Sequence, residues 1–136
     1  MNAVLPRLAE FCGELNGRIA LPCFAHAYRS PANAQVFTPH WDSSSLLFVQ
    51  MRGRTTWRVW DPVIPSTDEL DKPRTISPTL QRRPPTLEVT LSEGDAMFVP
   101  ASWPHGGYTT QGRGTLHVVI EVRHLNFGLT TLGVCC

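Results

Sequence analysis

A chain of 136 residues, 42% of them hydrophobic, can bury the core of one domain, and residues 1–136 are expected to form it. The formal net charge of +1 excludes a bulk electrostatic role against nucleic acid or an anionic membrane. No apolar run approaches the ~20 residues of a membrane-spanning helix, and 12 prolines with 10 glycines favour short strands joined by turns over a helical bundle.

Residues 1–14 carry acids and lack a continuous apolar stretch, unlike a secretory signal, so the expected location is cytoplasmic. Residues 4–15 read as one short helix, with Leu5, Leu8, Cys12 and Leu15 at helical spacing and Asn16-Gly17 as the stop. Arg18 to Tyr28 is apolar, stops at Arg29-Ser30-Pro31, and reads as a strand in which His26 is a core or rim residue. Ala34 to Asp42 is the next strand and ends in Phe37-Thr38-Pro39-His40-Trp41-Asp42. Residues i and i+2 of a strand share a face, so the His40 imidazole and the Asp42 carboxylate project side by side. His105, in Trp103-Pro104-His105-Gly106, is the candidate third member. Two histidines and one carboxylate, with open positions opposite, are the ligand set of non-haem Fe(II) oxygenases.

Leu46 to Met51 is a strong strand, and Arg52-Gly53-Arg54 reverses it into 55–60 as a hairpin. Thr55, Trp57 and Val59 share one face of the second arm; Thr56, Arg58 and Trp60 share the other. From Asp61 to Thr86 the chain is proline-rich and reads as a long loop. Its Lys72, Arg74, Arg82 and Arg83 are expected to solvate the connector, a basic lip for an acidic substrate being the alternative. Leu87–Leu91, Ala96–Val99, Tyr108–Thr110 and Thr115–Val122 are further strands. The total of about eight strands indicates an all-β sandwich or barrel. Cys12, Cys23, Cys135 and Cys136 lack the spacing of a zinc site, and Cys135-Cys136 reads as a reduced tail.

The order of these motifs is that of a known family. His-x-Asp closes one strand, a Gly turn leads into Trp57-Arg58-Val59-Trp60, and Gly94-Asp95 through Pro100 to His105 carries the second histidine. This pattern, from about Gly17 to Val122, closely resembles the cupin-like JmjC oxygenases of the ribosomal-oxygenase type. The resemblance implies an all-β double-stranded β-helix (a cupin or jelly-roll fold) with a short N-terminal helix. It implies a hydroxylase that uses Fe(II) and 2-oxoglutarate, with His40, Asp42 and His105 as metal ligands. Mn(II) or Ni(II) suits the same donors. The substrate class is an amino acid, a peptide or a protein side chain.

In the family a lysine or arginine at the start of the strand after the Gly turn holds the far carboxylate of 2-oxoglutarate; this chain has Thr55 there. The candidate replacement cations are Arg113, Arg58 and His26, because Arg54 faces away by alternation. By parity Phe48 and Gln50 face inward with Leu46, Trp57 lies behind Thr55, and His117 shares a face with Val119. Thr55, Phe48, Gln50, Trp57 and His117 are therefore the expected co-substrate residues. Two other readings stay open: a metal-dependent cupin enzyme that does not use 2-oxoglutarate, and a non-catalytic cupin that binds a sugar or peptide. The chain carries none of the additional domains found in many ribosomal oxygenases, which favours a smaller substrate, and exposed edge strands leave a homodimer open.

Overall fold

The computed structural model describes residues 6–63, 75–109, 112 and 114–123. Helix α1 spans Pro6–Ile19, with proline at its first position, where a missing N–H costs nothing. It runs past Asn16-Gly17, the expected stop. One glycine in an exposed helix costs only about 1 kcal/mol, so the helix continues until Ala20, which takes a left-handed φ of 54° and donates its N–H to the Asn16 carbonyl.

Eight strands follow among the described residues: β1 Cys23–Ser30, β2 Gln35–His40, β3 Ser45–Arg52, β4 Thr55–Val59, β5 Leu87–Leu91, β6 Ala96–Val99, β7 His105–Thr109 and β8 Thr115–Val122. The last strand and the β5 and β6 strands fall where the alternation puts them. β1 starts later than expected, β2 stops before Asp42, and β7 begins at His105 itself. The proline-rich connector contains a helical turn, α2, at Pro78–Gln81, capped by the Ser77 hydroxyl, which accepts the Leu80 N–H at 3.2 Å.

The strands form two four-stranded sheets, β1-β8-β3-β6 and β2-β7-β4-β5. They face one another over a core of Leu46, Phe48, Trp57, Val59, Leu91 and Val119, among others. This is the expected jelly-roll arrangement. Helix α1 covers the outer face of the first sheet, where Cys12 packs with Val118 and Ile120.

Register turns the inner faces into rows. On the first sheet Phe24, Glu121 and Leu46 form one row; His26, Val119 and Phe48 the next; Tyr28, His117 and Gln50 the third. On the second sheet His105 pairs with His40 on one side and Val59 on the other, Gly107 with Phe37 and Trp57, and Thr109 with Thr55. Gly107 leaves room for an indole: a Cβ there would lie 2.9 Å from the Trp57 ring. His117 is fully buried, stacked on Tyr28 at 5.4 Å and met by the Trp57 ring at 5.3 Å. Burial pushes its imidazole down from 6.5 to about 4.

Two stability measurements test this packing. Gly107→Ala is expected to destabilise the fold by about 1–3 kcal/mol through overpacking against Trp57, whereas Gly13→Ala, in the open middle of α1 with nothing within 4 Å, stabilises it by about 1 kcal/mol; urea unfolding reads both. For His117, the unfolded chain binds a proton that the folded chain refuses between pH 6.5 and about 4. Its contribution is complete above pH 6.5 and is lost as pH falls toward 4, by on the order of 3 kcal/mol in all. His117→Gln removes that part of the slope when unfolding free energy is measured against pH.

Candidate metal centre

His40 is the last residue of β2 and pairs directly with His105, the first residue of β7. Asp42 lies beyond the strand end. It nonetheless shares the His40 side, because Trp41 between them turns the other way into a buried cluster with Trp60 and Ile76. The Asp42 carbonyl accepts the Ser102 N–H at 2.7 Å, and the Pro39 carbonyl accepts the Ile76 N–H at 3.1 Å. The chain after His40 and the loop before His105 are thus tied to each other.

The Asp42 Oδ2 atom lies 3.4 Å from His40 Nε2 and 3.5 Å from His105 Nε2. One ligand atom from each residue falls within 4.8 Å of the others. Both rings are oriented by the backbone two residues upstream. His40 Nδ1 lies 2.8 Å from the Thr38 carbonyl oxygen, and His105 Nδ1 lies 3.0 Å from that of Trp103. A carbonyl only accepts, so each Nδ1 carries the proton and donates. Each neutral ring then presents a bare Nε2 lone pair to the carboxylate. Three acceptors converge, an arrangement stabilised by a cation or a shared proton. Burial lowers the His105 pKa, against the raising effect of its Trp103 hydrogen bond, so the proton is disfavoured there. The donor set fits a divalent metal: two imidazole nitrogens and a carboxylate on one side, and a cavity on the other.

That cavity has a volume of about 260 Å³ and is walled beyond the three ligands by Tyr28, Phe37, Phe48, Val119, His26 and Glu121. Side-chain exposure is 2% for His105 and 28% and 29% for His40 and Asp42, so the centre sits at the rim with one side open. Glu121 is a cavity group that sequence reading missed, although it follows Val119 by two on the same strand. Burial pushes its carboxyl up, but hydrogen bonds from Arg123 at 3.0 Å and Ser44 at 2.8 Å outweigh this and hold it below the usual range. Tyr28 and Phe37 were likewise missed; their parity on β1 and β2 marks them.

Of the expected co-substrate residues, Phe48 lines the cavity. Gln50, Thr55, Trp57 and His117 lie fully buried, outside its walls. Gln50 Oε1, Thr55 Oγ1, Trp57 Nε1 and both His117 nitrogens have no hydrogen-bond partner among the described residues. Of the candidate cations, Arg58 points outward, bonding Glu88 at 2.6 Å and lying 5.2 Å over the Tyr108 ring. Arg58 occupies the outer face because β4 alternates, and it does not reach the pocket. Arg54 is exposed, as alternation requires. His26 lines the cavity with its Nε2 3.5 Å from Glu121. Arg113 lies outside the described residues, as do Lys72 and Arg74 of the basic lip; Arg82 and Arg83 are exposed. The Cys12 and Cys23 thiols are free, and Cys135 and Cys136 lie outside the described residues.

Comparison with known proteins agrees with this geometry. The chain is 30% identical over 125 residues to the bifunctional lysine-specific demethylase and histidyl-hydroxylase NO66 of Drosophila sechellia, an alignment covering 89% of this chain and 18% of that protein. Among solved structures, Escherichia coli YcfD superposes with a TM-score of 0.63 at 20% identity, over 76% of this chain and 26% of that one. YcfD, a ribosomal oxygenase, has also been solved with cobalt and 2-oxoglutarate. An RmlC-like cupin of Methanocaldococcus jannaschii, a double-stranded β-helix, superposes with a TM-score of 0.52 at 14% identity, over 75% of this chain and 71% of that one. At these identities the structures establish the fold. The JmjC domain profile matches residues 6–128, nearly the whole chain, and by that match the chain belongs to the JmjC domain family.

Proposed function

We propose that this chain is a non-haem oxygenase domain that holds Fe(II) through His40, Asp42 and His105 and hydroxylates an amino-acid, peptide or protein side chain with the help of a 2-oxo acid, 2-oxoglutarate being the one bound by its structural relative. The observation that carries this reading is the convergence of two Nε2 lone pairs and one carboxylate oxygen on a face that opens into a cavity. Such a face leaves positions for a co-substrate and for oxygen, which a closed four-ligand zinc site does not. When bound, Fe(II) and the 2-oxo acid supply the oxidising chemistry that activates O2 for C–H hydroxylation.

The chain's own residues hold and shield. The two Nδ1–H bonds to Thr38 and Trp103 keep the imidazoles in the tautomer that offers Nε2. Asp42 contributes the negative charge that offsets a divalent ion. Tyr28, Phe37 and Phe48 form an aromatic wall that excludes water from the metal side of the cavity. Behind it, buried and outside the cavity walls, lie the neutral polar atoms of Thr55, Trp57 and His117, which we assign to the far end of the co-substrate. We place the protein in the cytoplasm, a reducing compartment that suits the free Cys12 and Cys23 thiols. No described helix is long and apolar enough to cross a membrane.

The test is metal and turnover together. His40→Ala, Asp42→Ala and His105→Ala are each expected to abolish stoichiometric Fe(II) or Mn(II) binding by calorimetry and to reduce succinate formation from 2-oxoglutarate to background. His117→Gln, at a position outside the ligand set, keeps its metal. Unchanged metal binding in all three alanine variants refutes the assignment.

A further inference from the structure

A 2-oxo acid that meets the metal with one end must place its other end within this cavity or in the core behind it. The charges available there are few. Every described arginine side chain is exposed. Beyond the three ligands, the charged or chargeable groups lining the cavity are Glu121, His26 and the Tyr28 phenol. Glu121 is held ionised, and His26 lies 3.5 Å from it with its side chain 49% exposed. A second carboxylate therefore meets, at the mouth, a carboxylate whose partner cation, the exposed Arg123 at 3.0 Å, is already engaged. A buried carboxylate without a counter-charge is penalised strongly.

The deeper groups do not supply that counter-charge. Thr55, Gln50, Trp57 and His117 have relative exposures of 0%. Gln50 commits its Nε2 to the Arg52 carbonyl at 2.8 Å, so its remaining Oε1 is an acceptor and repels a carboxylate. His117 is neutral at physiological pH and offers one N–H and one lone pair. Trp57 Nε1 only donates, and Thr55 Oγ1 does both. These atoms make a mixed set of neutral donors and acceptors without partners among the described residues. Such a set is complementary to an uncharged polar or apolar chain end at least as well as to an anion.

We infer that this site selects its 2-oxo acid by shape and neutral hydrogen bonds, with no ionic anchor for a second carboxylate among the described residues, so that 2-oxoglutarate and a 2-oxo acid of equal chain length with an uncharged far end bind with similar affinity. The inference rests on the Fe(II) and 2-oxo acid reading above and specifies its co-substrate range. Thr55 is the specificity-determining position, since a cation there would face the inner row.

Calorimetric titration of the Mn(II)-loaded protein with 2-oxoglutarate and with 2-oxopentanoate tests it. The two dissociation constants are expected to agree within about fivefold, whereas a charge-assisted anchor separates them by on the order of 10- to 100-fold. A preference for 2-oxoglutarate above about 30-fold overturns the inference and leaves the oxygenase reading intact; loss of that preference in His26→Gln or Arg113→Gln then identifies the cation. Failure of both acids to bind overturns the inference together with the reading beneath it. Thr55→Lys is expected to introduce a preference for 2-oxoglutarate of about 10-fold or more. An unchanged ratio in a Thr55→Lys protein that still melts cooperatively overturns the role given to Thr55. If that variant does not fold, the wild-type ratio decides.

Discussion

Two hydrogen bonds set the chemistry of this molecule: Nδ1–H of His40 to the Thr38 carbonyl, and Nδ1–H of His105 to the Trp103 carbonyl. Each is local, reaching two residues back. Together they turn two rings from different strands so that their Nε2 atoms point at one carboxylate. Remove either bond and its ring gains another tautomer and another rotation, and the three donor atoms no longer define a face. Everything around them serves that orientation. The β2–β7 pairing places His40 opposite His105. Trp41, buried against Trp60 and Ile76, keeps Asp42 on the ligand side after the strand has ended. Ser102 takes a left-handed φ of 65° to aim its N–H at the Asp42 carbonyl, so strain in one turn is used to fix another.

The part of this that the residues announce is periodic. Alternation along β3, β4 and β8 put Phe48, Gln50, Thr55, Trp57, His117 and Val119 indoors, and all of them are buried. His40 and Asp42 do lie side by side, 3.4 Å apart, though not by strand alternation: the strand stops at His40, and the side of Asp42 is decided by where Trp41 can be buried. That depends on Ile76, an apolar residue in a proline-rich run that shows no period. For the same reason α2 was hidden inside an apparent loop. The end of α1 was misread because glycine is a weak stop when no turn demands it; the left-handed residue is Ala20, which composition does not flag. Glu121 was legible in principle and overlooked because an acid at a strand end reads as solvent-facing.

Stability and chemistry make opposite demands on the interior. Each buried polar atom without a partner costs roughly 1–3 kcal/mol, and Gln50, Thr55, Trp57 and His117 concentrate such atoms in one region. The aromatic contacts compensate locally. Phe48 lies 4.4 Å from Trp57 and 5.5 Å from His105, and Tyr28 meets Phe37 edge-on at 4.9 Å. A core built for stability alone would replace the polar group with aliphatic side chains.

The pairing of β2 with β7 has a kinetic side. His40 and His105 come from distant parts of the chain, and β1 meets β8 only when the last described strand is in place. Contacts of such long sequence separation form late and slowly, because loop closure has to precede them. His40 and Asp42 are neighbours in sequence, but no local segment presents all three donors together. The three donors meet only in the finished fold.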